Sequence, residues 1–272
     1  MSFSLKFSNN RVINVIIDTI ASIIDETRFK LSSDGFVIVA IDQSGICLLK
    51  LIIDKDKFQE YKCDKDFNIW LNIDGLDKIL KRSSSKDSIE LSYKEKDNKI
   101  KIKMERPGPS QKTLTRTFSL SLLQTEEEEI SIDGLFEIEY NSTWEIEPDF
   151  LVEAIRDAEI YSEILNIKAI ENEGLQFTSI GEMGEMEYNL DLEDLTIQKI
   201  EESCTGSYSL TFLKAILKLT SIEDVKVDMS LKTDHPLKII FDMDEGGELS
   251  FFLAPRVEDE DIDEDEYDTD EF

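Results

Sequence analysis

Residues 11–45, RVINVIIDTIASIIDETRFKLSSDGFVIVAIDQSG, share one pattern with residues 150–184, FLVEAIRDAEIYSEILNIKAIENEGLQFTSIGEMG. The two stretches align without a gap at an offset of 139 residues. Each opens with apolar residues at helical spacing, passes into an alternating strand, turns at an acidic-Gly pair (Asp34-Gly35, Glu173-Gly174) and enters a second strand, FVIVAI or LQFTSI. Such a turn between alternating runs predicts a hairpin. A second echo comes later in the same order: LDKILK at 76–81 against LKAILK at 213–218. Alternating strand pairs come after each, DSIELSY and NKIKIKM in the first half, DVKVDMS and PLKIIFDM in the second. Two echoes at nearly one spacing predict a tandem duplication, each half reading helix, hairpin, strands, short helix, strands. Few helices among many short strands define an antiparallel α+β fold. The expected divisions are a first domain over 1–121, a connector over 122–139, a second domain over 140–257 and an acidic tail over 258–272.

The chain has 272 residues, a length for about two domains, with 40% hydrophobic and 33% charged residues. No apolar run approaches the roughly 18 to 20 residues that span a bilayer, and the start, MSFSLKFSNN, does not read as a signal peptide. The odd count of cysteines (Cys47, Cys63, Cys204) has no C-x-x-C pair, so no disulfide framework is expected. Cys47 and Cys63 sit in apolar strands and read as core. A reducing, intracellular location is expected.

The net charge is −30, which taken whole argues against nucleic acid. Its distribution reverses that argument. Residues 1–120 hold 21 Lys/Arg against 17 Asp/Glu, whereas residues 121–272 hold 9 against 43. Glu258–Phe272 carries 11 carboxylates and no base, a block expected to stay disordered by self-repulsion, and Glu126–Glu129 is a shorter acidic run.

The first helix, expected over 11–25, has a polar stripe of Arg11, Asn14, Asp18, Ser22 and Asp25 and an apolar side of Val12, Ile13, Val15, Ile16, Ile20 and Ile23. The short helix over 75–82, with Asp74 as its expected N-cap, presents Lys78, Lys81 and Arg82. Its counterpart presents Lys214 and Lys218, four residues apart on one face, and the helix near 149–158 offers Arg156. Single lysines on helices are usually plain solvated residues. Bases at equivalent places in both repeats give weight to sequence-independent contacts with a phosphate backbone.

Catalytic chemistry finds no footing. His235 is the only histidine, so no histidine-pair metal site exists, and it stands before Pro236 in a turn. No phosphate-cradling glycine motif occurs, no cofactor is expected, and pairs among 60 carboxylates carry no information.

DGFVIVAIDQSGICLLKL (34–51), YKCD (61–64), LNIDGLDKILK (71–81), GLQFTSIGEMG (174–184) and GGELSFFLAPRVE (246–258) resemble the sliding-clamp family that includes proliferating cell nuclear antigen, particularly its archaeal members. The resemblance covers residues 1–258. It implies two tandem clamp domains per subunit, three subunits in a homotrimeric or heterotrimeric ring, antiparallel sheets outside and helices lining a hole around duplex DNA. It implies a non-enzymatic processivity factor of DNA replication and repair. Its partners would be a clamp loader, DNA polymerase, flap endonuclease and DNA ligase, bound through short peptides, with no membrane. The peptide groove carried onto this sequence comprises Ile41, Gly45, Ile46 and Leu48, then Leu135, Phe136, Ile138 and Tyr140, then Pro236, Phe252, Ala254, Pro255 and Val257. Subunit contacts would join edge strands near 112–119 and 185–192. Opposite charges, Lys112 and Arg116 against Glu185, Glu187 and Asp191, would steer the pairing. One departure stands out: the first helix offers Arg11 alone where the family brings several lysines. From a different class, an acidic interaction protein (a DNA mimic or binder of basic proteins) would explain the tail but not the duplication.

Overall fold

A computed structural model describes residues 1–108, 112–125, 130, 132–196 and 198–256. The acidic run Glu126–Glu129, Val257 and the segment from Glu258 lie outside the described residues.

The first half runs β1 (Ser2–Phe7), α1 (Asn10–Ala21), β2 (Glu26–Leu31), β3 (Gly35–Ile41), β4 (Cys47–Asp54), β5 (Phe58–Cys63), β6 (Phe67–Asn72), α2 (Ile73–Leu80), β7 (Ser88–Lys94), β8 (Lys99–Pro107) and β9 (Thr113–Ser121). One helical turn, α3 (Asp133–Phe136), lies in the connecting segment. The second half repeats the series: β10 (Ser142–Ile146), α4 (Pro148–Ala158), β11 (Ile164–Ile170), β12 (Gly174–Gly181), β13 (Gly184–Asp191), β14 (Gln198–Ile200), β15 (Cys204–Ser209), α5 (Leu210–Ile216), β16 (Lys226–Leu231), β17 (Leu237–Met243) and β18 (Gly247–Leu253). Element for element, β1 to β9 correspond to β10 to β18, and α1 and α2 to α4 and α5.

Sheet order mirrors the duplication. β5-β1-β7-β8-β9 forms one sheet, and its counterpart order β14-β10-β16-β17-β18 forms part of another. That second group continues through β18 into β4-β3-β2-β6 of the first half, making nine strands, while β13-β12-β11-β15 stands as a four-stranded sheet. The joint between the halves is the antiparallel pair β18–β4, with Leu253 opposite Cys47 and Glu248 opposite Ile52. Most of its residues are buried, so the halves share one core. The repeat therefore leaves β9 and β13, the counterparts of β18 and β4, each at a sheet edge.

Local chemistry explains the elements. Asn9 caps α1, its side-chain oxygen accepting from Arg11 N–H at 3.0 Å. The helix ends at Ala21, earlier than the apolar spacing suggests, where Ser22 Oγ turns back to the Asp18 carbonyl. Ile13, Ile16, Ile17 and Ile20 are buried, each adding about 1.5–3 kcal/mol on transfer from water. Val15 and Ile23 are only partly covered. The cap of α2 is Asn72, whose side chain accepts from Gly75 N–H at 2.7 Å. The expected cap, Asp74, stands inside the first turn and instead pairs with Lys78 four residues on. At Gly35 and Gly174 a side chain would collide with the carbonyls of Ile53 and Leu190 on the neighbouring strands, so both glycines serve close strand approach. Cys63 is half-buried rather than core, its thiol donating to the Lys65 carbonyl at 2.9 Å.

Candidate nucleic-acid interface and partner surfaces

The helices gather into one layer in which α1 meets α2 and reaches the 3-10 turn Leu217–Ser221 after α5. All seven bases expected at DNA lie on these helices or at their ends. Most are already paired. Lys81 holds Asp18 at 2.6 Å and Asp77 at 2.7 Å, and Lys218 holds Asp18 at 2.9 Å and Ser22 Oγ at 2.6 Å. Lys78 pairs with Asp74 and Lys214 with Glu159. Arg11 donates to the Ser221 carbonyl at 3.1 Å. Arg82 and Arg156 are exposed and make no ion pair among the described residues.

Asp18 is the hub of this layer. Burial opposes its charged form, yet hydrogen bonds from Lys81 and Lys218 outweigh burial and hold its carboxyl below the ordinary carboxylate range. The same contacts raise Lys81, Asp18 first and Asp77 second. Arg156, Lys214 and Lys218 converge with Asp18 and Glu159 on one shallow depression between α1 and α4. The polar stripe of α1 is likewise spent within the chain: Asn14 donates to Ser83 Oγ at 2.8 Å, and Asn10 to the Ser84 and Asp87 carbonyls. This helix holds other segments together, which is the physical reason its sequence lacks lysines.

The expected subunit strands are both sheet edges, and within the chain Arg116 is already partnered. Arg116 points to the helix side, bonding Asp87 at 2.7 Å and the Arg82 carbonyl at 3.0 Å. Burial alone would raise Asp87; hydrogen bonds from Ser84, then the positive charges of Arg116 and Arg106, keep it lowered. On β13 the helix side is taken by Met186, Tyr188 and Leu190, with Tyr188 donating to Glu153 of α4 at 3.1 Å. Glu185, Glu187 and Asp191 alternate onto the outer side. Arg116 and Glu187 therefore occupy opposite faces of their sheets. Lys112 is exposed just before β9, its carbonyl accepting from Gly108 N–H at 2.9 Å.

On the third surface, the 42–47 turn is locked by Asp42, which accepts from Ile46 N–H at 2.7 Å and Cys47 N–H at 2.6 Å. Gly45, at φ 72, supplies the left-handed residue of that turn. The turn lifts Ile41 and Ile46 into solvent, 43% and 37% exposed. Phe136 of α3 is likewise 39% exposed, its ring edge-on to Phe252 at 4.9 Å. Tyr140 donates to the Pro236 carbonyl at 2.9 Å, and burial pushes its hydroxyl up to about 12. Ala254 N–H donates to the Ile46 carbonyl at 2.9 Å, bringing the chain end alongside. Leu135, Ile138, Pro236, Ala254 and Pro255 are half-buried around this patch. Leu48 and Phe252, expected as groove wall, are buried beneath it: Leu48 packs at the β4–β18 joint and Phe252 lies under Phe136. Val257 lies outside the described residues.

Sequence reasoning missed four residues. Leu114 on the β9 edge, Ile180 and Met183 at the β12–β13 turn, and Ile160 after α4 are large, apolar and exposed. With Ile41, Ile46 and Phe136 they account for every exposed large hydrophobic among the described residues except Met1. The signal available was an apolar residue where strand alternation or a turn asks for a polar one.

A duplicated α+β chain with its helices in one layer and a free counterpart edge at each end has the architecture of a DNA-clamp subunit. Residues 2–129 match the family of the proliferating cell nuclear antigen N-terminal domain, and residues 134–256 that of its C-terminal domain. The chain belongs to the proliferating cell nuclear antigen family. It is 32% identical to the DNA polymerase sliding clamp of Thermococcus gammatolerans over 95% of this chain and 100% of the relative. The DNA polymerase sliding clamp of Nitrosopumilus maritimus is 28% identical with the same coverage. In fold it matches the crystal structure of proliferating cell nuclear antigen from Thermococcus kodakaraensis, at a TM-score of 0.84 and 23% identity, over 93% of this chain and 100% of that one.

Proposed function

We propose that three chains of this kind close head to tail into a ring around duplex DNA and tether polymerase and other replication and repair proteins to it. The carrying observation is the free pair of edges. β18 and β4 make the joint inside the chain, and their repeat counterparts β9 and β13 each keep one edge without a partner strand among the described residues. Pairing β9 of one subunit with β13 of the next would repeat that joint and remove both edges. Leu114, on the same face of β9 as Arg116, and Ile160, after α4, would supply apolar burial that charge steering alone lacks. Lys112, Glu185, Glu187 and Asp191 then form a solvated rim, while Arg116 braces the first domain from within.

The helix layer would face the DNA, with Arg82, Arg156, Lys78, Lys81, Lys214, Lys218 and Arg11 near its phosphates. Phosphates would compete with Asp18, Asp74 and Glu159 for these bases, giving transient contacts that permit sliding. The surface at Ile41, Ile46 and Phe136 would receive peptides from a clamp loader, polymerase, flap endonuclease or ligase. The role is non-catalytic, in the replication compartment: cytoplasm in an archaeon, nucleus in a eukaryote. The division into domains at 1–121 and 140–257 with a connector at 122–139 belongs to this reading.

Solution mass tests it, alone and with any paralogous chains. A species near three times 31.3 kDa that raises polymerase processivity on primed circular DNA is expected. A monomer at micromolar concentration in both settings overturns the ring.

A further inference from the structure

The β12–β13 turn is the repeat counterpart of the β3–β4 turn that carries Ile41 and Ile46. In the first hairpin Ile41 pairs with Leu48, and in the second Ile180 pairs with Glu185. Counted from those pairs, Leu48 and Lys50 of β4 correspond to Glu185 and Glu187 of β13, and Ile46 to Met183. The inward positions agree with this match: Leu49 and Leu51 are buried, and Met186 and Tyr188 pack against the core. Ile180 and Met183 are 64% and 78% exposed, more than Ile41 and Ile46. The tip is firmly seated, because Gly181 and Gly184 lie against Tyr161, and a side chain on Gly181 would collide with the Tyr161 carbonyl.

The two turns differ in charge. Beside the first, the Lys50 ammonium lies 4.3 Å from the centre of the Phe136 ring. At the matching position the second has Glu187, which accepts from Asn189 Nδ2 at 2.7 Å, and Glu185 stands in place of Leu48. Alternation along β12 and β13 puts Ile180, Glu185 and Glu187 together on the outer face of their sheet. From Ala169 to Gln198 the sequence has eight carboxylates and no base, so the exposed apolar pair sits in a negative field that favours a cationic ligand. Lys101 and Lys103, which a neighbouring subunit would bring one strand beyond its β9, are paired with Asp97 and Glu105 of their own chain.

We propose that this turn is a second docking surface, for a basic client segment with an apolar anchor: the anchor seats on Ile180 and Met183, and Lys or Arg side chains pair with Glu185 and Glu187. The inference rests on the reading of the counterpart turn as part of a peptide groove and extends it to basic clients. Ring closure leaves the surface open. At the joint inside the chain β4 is paired with β18, yet Ile41 and Ile46 stay exposed, and a β9–β13 joint built alike leaves Ile180 and Met183 in solvent. Charge complementarity and this continuity with the joint carry the assignment. One client can thus hold the ring at two points, a peptide in the groove and a basic segment on the turn. Tethering gives the second an effective concentration on the order of millimolar, so a weak contact suffices.

The test uses the full chain and three labelled peptides: one with a phenylalanine between lysine pairs, one with lysines alone, and a client-type peptide with a two-phenylalanine anchor. By fluorescence anisotropy at about 50 mM salt, the first should bind roughly fivefold more tightly than the second. Glu185→Gln/Glu187→Gln should weaken the first roughly fivefold or more, and Ile180→Ser should erase its advantage over lysines alone. Glu171→Gln/Glu173→Gln, at the opposite end of β12, removes as much charge and should change neither, which separates the site from the general negative field. Unchanged binding in Glu185→Gln/Glu187→Gln, an equal loss in the Glu171 and Glu173 control, or equal affinity for the two lysine peptides overturns the proposal. So does a change from three subunits to monomers in Ile180→Ser, because the turn is then a subunit contact. The two-phenylalanine peptide tests the first groove separately. If Phe136→Asp binds it as tightly as the parent, the groove reading fails, and the lysine–phenylalanine peptide alone decides this one.

Discussion

The ammonium of Lys218 stands 2.9 Å from the carboxylate of Asp18, two hundred residues earlier in the chain. Lys81 reaches the other oxygen at 2.6 Å, so one carboxylate joins the helix ends of both halves while neutralising two bases on the surface that would face DNA. The arrangement trades electrostatic attraction for internal cohesion. It also accounts for a first helix with a single arginine, since its polar positions are committed to neighbouring segments.

Asp18→Asn should therefore strengthen DNA binding while weakening the fold. Lys218 loses its carboxylate and Lys81 keeps only Asp77. Duplex affinity at low salt should rise several-fold, and the dependence on salt should steepen by about one phosphate equivalent. The lost cross-half pair should cost about 1 kcal/mol, because it is partly exposed. Anisotropy across a salt series and a denaturant melt report the two effects separately. An unchanged or weaker affinity would mean that the helix layer does not meet phosphates.

Assembly should depend on apolar edge residues more than on the charges beside them. Leu114→Asp or Ile160→Asp should turn a species of three subunits into monomers whose secondary structure is intact, as read by light scattering and circular dichroism. Arg116→Glu should instead destabilise the monomer by about 1–2 kcal/mol, because it abandons the buried Asp87. Adding Glu187→Arg should not restore it, since the two side chains occupy opposite faces. Rescue of assembly by that second change would reverse this assignment.

Acid should loosen the fold through a few identifiable carboxylates. Burial of Asp42 would raise it, but N–H donors from Cys47, Ser44 and Ile46 prevail and its carboxyl is lowered, as are those of Asp18 and Asp87. A group whose folded value lies below its unfolded one, near 3.8, contributes stability that is full above the unfolded value and lost as pH falls through the folded one. Asp228 has the opposite sign: burial and then Glu145 and Asp242 raise it, so its contribution opposes folding once it ionises. The gap in thermal midpoint between the parent and Asp42→Asn should thus be widest near pH 6 and shrink towards pH 3. A constant gap would show that the Asp42 charge is not what holds the turn.

Much of this molecule is legible in its sequence, because duplication and period-two alternation are local properties. The helix–hairpin series at 11–45 and 150–184 and the strand pairs after each short helix can all be read from spacing. The joint cannot. Which strand pairs β18 depends on packing between segments two hundred residues apart, and Leu253 opposite Cys47 leaves no mark in either segment. The same limit applies to the site: bases at equivalent helix positions are visible, whereas the carboxylates that hold them come from other elements. Phe252 looks like a surface anchor until Phe136 is seen lying over it.

That difference between Phe136 and Phe252 gives the sharpest test of the groove. Phe136 and Ile46 are exposed, so Phe136→Asp or Ile46→Asp should leave the thermal midpoint within a few degrees while abolishing binding of a client-type peptide. A buried aromatic contact in such a complex contributes about 2 kcal/mol or more, which is at least a thirtyfold loss of affinity. Phe252 is buried, and Phe252→Asp places an unpaired carboxylate in the core at a cost of several kcal/mol. That variant should melt early or fail to fold, and its loss of function would say nothing about peptides. Phe252→Leu keeps the site apolar but removes the edge-on contact with Phe136. It should fold and bind the peptide several-fold more weakly, because the Phe136 ring loses its support. Full affinity in Phe136→Asp and Ile46→Asp alike, measured by calorimetry, would move the partner site away from the 42–47 turn.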